Sequence, residues 1–417
     1  MNNKHRRLLP ILLLFLAFIS ANPYSKMPIG NTTTNWILYA LILLFFYYEK
    51  RKRNISFTDN EYWVVALYLS WTVIGIIRGM FVMENYWESK ALVNNSFIIL
   101  MPFCVYAFNS PYIVNKTLRL WIKIAFPAFF IFFYWMVGLS QFYLGPIYLV
   151  LCFLPIIKSK RWVLVIGFVG LLLLTYNIEA LRSQFLKAVM SFMVMIACIF
   201  HKHISDKLLR MAHWTLYVLP VCLLVLGLSG RFNVFENVKN NYQGQYVSDV
   251  EEVEGSYADM AVDTRTFIYE EVVTSAIKNN YVLFGRTPAR GNDTNFFQEL
   301  AEDLKAVRKD YNIKYIRNSN EVCFPNIFTW LGLVGMLLYI GIYLMASFQG
   351  VYKSNNIYVK LIGIYVAFNF MYGWVENTTC FDILNITYWL MISICLSPKF
   401  RSMNDSQFTM WVNKIFV

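Results

Sequence analysis

Apolar runs of membrane-spanning length recur along most of the chain, separated by short polar breaks. Windows of roughly 19 residues pick out about twelve runs. They lie near 8–22, 33–48, 62–80, 91–108, 117–138, 141–157, 162–177, 185–200, 213–229, 323–347, 357–376 and 381–398. The two runs around "FYWMVGLSQFYLGP" are the hardest to separate. Residues 230–322 break the pattern, because they are polar and mixed in charge. The expected architecture is therefore an all-α polytopic membrane protein with one large extracytoplasmic loop. Helices one to nine fall in 1–229, the loop in 230–322, helices ten to twelve in 323–398, and a cytoplasmic tail in 399–417.

Within the loop, "RTFIYEEVVTSAIKNN" sets Phe267, Ile268, Val272 and Ile277 near helical spacing, with Asn residues suited to its end. "DTNFFQELAEDLKAVRKDY" repeats the pattern through Phe296, Phe297, Leu300, Leu304, Val307 and Tyr311, after Asp293 or Thr294 as N-cap. Such amphipathic helices either lie against the outer leaflet and roof a cavity or pack the loop on itself. The stretch "NYQGQYVSDVEEVEGSYADMAVD" is acidic and weakly patterned.

Composition excludes an ordinary soluble globule: 58% of residues are hydrophobic, 15% are charged and the mean hydropathy is +0.45. The formal charge of +12 follows topology. "NKHRR", "EKRKR", "KSKR", "HKHISDKLLR" and "PKFR" all fall on one side when twelve spans are counted, which makes that side and both termini cytoplasmic. Nothing in this distribution calls for nucleic acid. The basic start followed by "LLPILLLFLAFISANPYS" has the shape of a cleavable signal, but a retained first helix is expected ahead of the later spans.

Five of the seven cysteines sit in apolar runs and read as small hydrophobes. Cys323 and Cys380 both fall near the outer face, yet their spacing does not demand a disulfide. The four histidines lie near cytoplasmic ends, and no His/Cys/Asp set has metal-ligand spacing, so neither a structural nor a catalytic metal is expected. No cofactor is expected either.

Cations on the outer side are the candidate chemistry. Arg182 stands in "NIEALRSQFL", Arg265 opens the first loop helix, and Arg286 and Arg290 lie in the turn-rich "LFGRTPARGND". Arg78 belongs to another outer segment. Arginine suits a phosphate because its planar fork donates bidentate, charge-assisted hydrogen bonds. Arginines at membrane boundaries also serve as snorkelling anchors. Their number on the side that positive charge avoids, together with Glu321 at the mouth of an apolar run, favours an anionic ligand.

Four stretches in order carry a family resemblance: "RGMFVMENYWESK", "EALRSQFLKAVMSF", "RTFIYEEVVTSAIKNNYVLFGR" and "NEVCFPNIFTWLGLVG". Over residues 60–345 the chain resembles the O-antigen polymerase (Wzy-type) and O-antigen ligase family of polytopic glycosyltransferases. The ligases carry a His-Asn pair about eleven residues before the first Gly of a pair like Gly332 and Gly335. This chain has Glu321 and Val322 there, which favours the polymerase branch. The resemblance implies a multi-pass protein of the bacterial inner membrane whose partners are an undecaprenyl-diphosphate-linked oligosaccharide and the bilayer, with a chain-length regulator left open. It implies polymerisation of repeat units for O-antigen, capsule or exopolysaccharide. Glu321 would then accept the acceptor hydroxyl's proton, its pKa raised by nearby hydrocarbon. Arg182 and Arg265 would stabilise the departing diphosphate, and Arg286, Arg290 and Arg78 would bind it. Tyr86, Trp87, Tyr246 and Tyr257 could stack on sugars, although aromatic-belt positions explain most such residues. A ligase, a lipid-linked-sugar flippase and a non-catalytic assembly factor are the alternatives. For a flippase, Lys123 and Lys187 are the nearest deep charges, and no internal repeat is visible.

Overall fold

The computed structural model describes residues 8–22, 25, 27–52, 55–56, 59–175, 182–228, 247–253, 256–259, 266–294 and 316–417. These residues are overwhelmingly helical, with four short strands among them. The first half contains α1 (Leu8–Ile19), α2 (Thr32–Lys52), α3 (Trp63–Val82), α4 (Tyr86–Leu100), α5 (Cys104–Phe108) and α6 (Pro111–Leu120). It continues through α7 (Phe126–Ala128), α8 (Ser140–Tyr143), α9 (Pro146–Cys152), α10 (Lys160–Thr175), α11 (Arg182–Ile199) and α12 (Asp206–Leu228). The second half contains α13 (Thr266–Lys278), α14 (Cys323–Tyr352), α15 (Ile357–Tyr372), α16 (Ile383–Leu396), α17 (Pro398–Arg401) and α18 (Asp405–Asn413). Strands β1 (Val247–Val253) and β2 (Ser256–Asp259) form an antiparallel hairpin, and β3 (Asn292–Asp293) pairs antiparallel with β4 (Ile316–Arg317).

Every apolar window expected from the sequence holds helix. Among the described residues, three helical stretches, Trp63–Val82, Tyr86–Phe108 and Cys323–Tyr352, are long and apolar enough to cross a membrane by length and composition. Shorter apolar helices occupy Leu8–Ile19, Ser183–Ile199, Ile357–Tyr372 and Ile383–Leu396. Windows 117–138 and 141–157 contain broken helix. Two π-helical turns, Trp121–Ala125 and Phe129–Phe133, flank Pro127, which has no N–H to continue the ladder. Beyond them, Gly145 and Pro146 divide α8 from α9.

Helices α14, α15 and α16 form the centre. Every residue of α16 is buried, as an all-round apolar helix requires. Outward faces of the peripheral helices are apolar instead: Val73, Ile77, Met80 and Phe81 on α3, Phe168 on α10, and Trp214 and Val218 on α12 are exposed. A surface of this kind suits hydrocarbon rather than water.

At one end, Arg401 meets Glu61 at 3.3 Å and Lys360 meets Asp206 at 2.6 Å. Residues 399–417, expected as a tail, continue α17 and form α18, and they cover this end. Asn404 and Gln407 close a capping box, and Phe408 and Val412 are buried. The Trp411 indole N–H donates to Pro111 O, and Asn413 Nδ2 donates to Ile156 O, each at 2.9 Å. At the opposite end lie the C-terminus of α3, the N-terminus of α4, and α13 with the segment after it.

Candidate functional site

The site is built around a break in α14. Gly332 has φ 71° and ψ −172°, which divides the helix into two pieces and frees backbone groups on both sides. Residues 282–287 satisfy them. Leu333 N–H donates to Val282 O at 2.8 Å and Val334 N–H to Leu283 O at 3.3 Å. Arg286 N–H donates to Thr329 O at 2.7 Å, and Thr287 N–H to Trp330 O at 3.2 Å. Leu331 O accepts the Trp71 indole N–H at 2.9 Å. An irregular backbone at the edge of an apolar helix is tolerable only when its polar groups are paired in this way. The contact needs glycine on both sides. Gly285 has φ 72°, and a Cβ there would meet Gly332 N at 2.4 Å. A Cβ on Gly332 would meet Leu283 O at 2.3 Å.

Three of the expected cations hold this segment in place. Arg78, near the C-terminus of α3, donates to Phe284 O at 2.6 Å and to Gly285 O at 3.2 Å. Arg286 donates to Gly291 O and pairs with Asp293. Arg290 forms a fork on Glu88 at 3.0 and 3.2 Å and reaches Glu84 at 2.8 Å. Glu88 is buried and also accepts the Glu84 N–H at 2.8 Å, so the fork locks onto the first turn of α4. Asn95 Nδ2 adds a bond to Pro288 O at 2.9 Å. Burial pushes the Asp293 carboxyl up, but hydrogen bonds from Asn279 and Arg286, and the Arg286 charge, outweigh it and hold the group below its usual range. For Arg290, burial works against the charge, and the bonds to Glu88 and Glu84 reverse it, lifting its pKa further above the ordinary value.

Glu321 stands just before Val322, the N-cap of α14. Its side chain is 66% exposed, with Arg317 at 3.8 Å. The apolar burial expected around it is therefore not found. Immediately behind it, Asn326 Nδ2 donates to Asn320 O and to Thr379 Oγ1, each at 2.9 Å, which pins the approach to α14.

Helix α13 forms as expected, although its buried face consists of Ile268, Val272, Ser275 and Ala276, while Ile277 is 64% exposed. Ile268 and Val272 pack against Val322, and the Tyr269 hydroxyl donates to Trp374 O at 2.6 Å. Arg265, directly ahead of α13, lies outside the described residues, as does the expected helix over 295–311. Arg182 is the first residue of α11, described by its backbone alone. Its neighbour Ser183 donates to Glu376 Oε1 at 2.9 Å, and Glu376 O accepts the Cys323 N–H at 3.1 Å. The starts of α11, α13 and α14 thus meet around one short loop, Trp374–Glu376, and these are the helices adjoining Arg182, Arg265 and Glu321.

Glu376 was missed by sequence reasoning. It closes the apolar window 357–376 in the way Glu321 opens the window that follows it, and this was the available signal. Of the two deep charges expected, Lys187 is buried, whereas Lys123 is an exposed group donating to Val417 O at 2.6 Å. All seven cysteines are free, Cys323 and Cys380 included. Among the described residues, no group of three or more His, Cys, Asp and Glu side chains gathers as metal ligands do. No family model matches the chain, and no curated protein matches it either, so the family resemblance rests on the four motifs alone.

Proposed function

We propose that this protein is a polytopic glycosyltransferase that polymerises undecaprenyl-diphosphate-linked oligosaccharide repeat units at the outer face of the bacterial inner membrane. It has about twelve spans, by hydropathy window and basic-cluster alternation. Both termini are cytoplasmic, and residues 230–322 face outward. The observation that carries this reading is the meeting of the α11, α13 and α14 starts at Trp374–Glu376, since these starts adjoin Arg182, Arg265 and Glu321.

In the reaction, the acceptor sugar hydroxyl attacks the anomeric carbon of the donor. A new carbon–oxygen bond forms as the bond to the lipid diphosphate breaks, and the hydroxyl proton passes to Glu321. The acceptor is itself lipid-linked, and its sugar end projects into water at the membrane face, which suits an exposed carboxylate. Arg182 and Arg265 stabilise the negative charge that develops on the diphosphate; one such preorganised contact is typically worth about 3 kcal/mol of barrier. Arg78, Arg286 and Arg290, whose side chains already hold the 284–293 segment, shape the rim of the site.

A flippase reading is favoured by one observation, the buried charge of Lys187 inside the bundle. Lipid extracts of a deletion strain, analysed by mass spectrometry with leaflet assignment, separate the two. The polymerase reading expects single repeat units displayed outside. Undecaprenyl-linked units confined to the inner leaflet would overturn it in favour of the flippase.

A further inference from the structure

Two helix starts are tied together through a single residue, Glu376. Its backbone carbonyl accepts the Cys323 N–H at 3.1 Å and so fixes the first turn of α14. Its carboxylate accepts the Ser183 hydroxyl at 2.9 Å and stands 4.0 Å from Lys187 Nζ, which fixes the first turns of α11. Lys187 is almost fully buried, with its side chain 3% exposed, and Glu376 is 22% exposed, so the pair runs from the rim into the bundle. Around it, Lys187 Nζ donates to Gln141 Oε1 and to Ser183 Oγ, each at 2.8 Å. The Tyr372 hydroxyl donates to Ser183 Oγ at 2.8 Å.

A buried ammonium requires a counter-charge, and here the carboxylate comes from the loop after α15, whose Glu376 carbonyl caps the start of α14. The Lys187 approach and the Ser183 hydrogen bond to Glu376 therefore span the gap between α11 and the loop that caps α14. We propose that Glu376 is a positioning residue for glycosyl transfer: it holds Arg182 on α11 in register with Glu321 ahead of α14, with Lys187 as its counter-charge. This inference rests on the transfer reaction proposed above. Placement of this kind matters because a misplacement of about 1 Å can cost about 100-fold in rate.

The test uses the full-length protein and avoids a stranded buried lysine by changing both partners, Lys187→Met with Glu376→Gln. Gln keeps an acceptor for Ser183 and leaves the backbone bond to Cys323. One readout is polymer formed per unit of membrane-inserted protein from lipid-linked single repeats. A second does not depend on activity: the distance distribution between spin labels at Leu186→Cys and Ser319→Cys, both exposed, with the accessible Cys222 and Cys380 replaced by Ala. The double variant is expected to accumulate normally, to lose about 100-fold in turnover with KM held within about twofold, and to broaden the distance distribution. Adding Arg182→Lys to it should cost less than the same change costs in the parent, because the two act through one placement. A wild-type distance distribution, or parental turnover in the double variant, overturns the proposal. Should the parent itself make no polymer, the transfer reaction fails, while the label distances still decide whether Glu376 sets the spacing.

Discussion

Gly285 and Gly332 show how much can depend on two missing methyl groups. Each occupies left-handed backbone, and each leaves no room for a Cβ against the other's segment. Gly332→Ala is expected to cost about 1–3 kcal/mol for the backbone alone, and more because Leu283 O must move. The expected outcome is a marked fall in the melting temperature of the detergent-purified protein, while Gly341→Ala, in the regular part of α14, changes it little. At Glu321 the expectation concerns rate. Glu321→Gln keeps size and hydrogen bonding but cannot take a proton, so turnover per inserted molecule should fall by roughly 10²–10⁴-fold. Arg265→Lys should retain part of the activity and Arg265→Ala much less, because Lys keeps the charge without the fork. Specific activity near the parental value in Glu321→Gln eliminates it as the base and makes Glu376 the next carboxylate to test.

Elements reveal what a linear reading can and cannot reach. Each apolar window holds helix among its described residues, though 117–138 and 141–157 hold it in broken pieces, because hydropathy is a local property. The break in α14 escaped, since apolar residues continue on both sides of Gly332 and the loop that fills the gap begins some fifty residues earlier in the chain. Helix α13 was legible from Ile268 and Val272, but Ile277 was assigned to the wrong face because small residues, Ser275 and Ala276, make the close contacts there. Phe408, Trp411, Val412 and Ile415 show a helical spacing that a tail would not need, and their burial explains it. Lys187 was legible as a deep charge within the window 185–200, but its partners Gln141 and Glu376, remote in sequence, were not. The 284–293 segment yields a pH dependence. Asp293 has a folded-state pKa below its unfolded value, so its stabilisation is fully present above the ordinary Asp range and disappears as pH falls through the folded value. Asp293→Asn should therefore melt lower at neutral pH yet lose less on acidification below about pH 4. A variant that loses as much as the parent would remove Asp293 from the acid-sensitive groups.

For the whole molecule, the organising feature is polarity between two ends. One end is sealed by α17, α18 and the Arg401–Glu61 and Lys360–Asp206 pairs, and the other carries the glycine-locked segment and the loop at Glu376. In the topology proposed above, which rests on the positive-inside pattern, the sealed end is cytoplasmic. A thiol at Ser256→Cys should therefore react with an impermeant reagent in intact spheroplasts, and protection there would invert the topology and remove the site from the outer face. The most direct measurement of the central claim uses the purified full-length protein and lipid-linked single repeats recovered from the deletion strain. Polymer length and free undecaprenyl diphosphate are followed together. Glycosyl transfer between lipid-linked units predicts one diphosphate lipid released per new linkage, without ATP. Unchanged single repeats, or release of the lipid without any growth of the glycan, would contradict it.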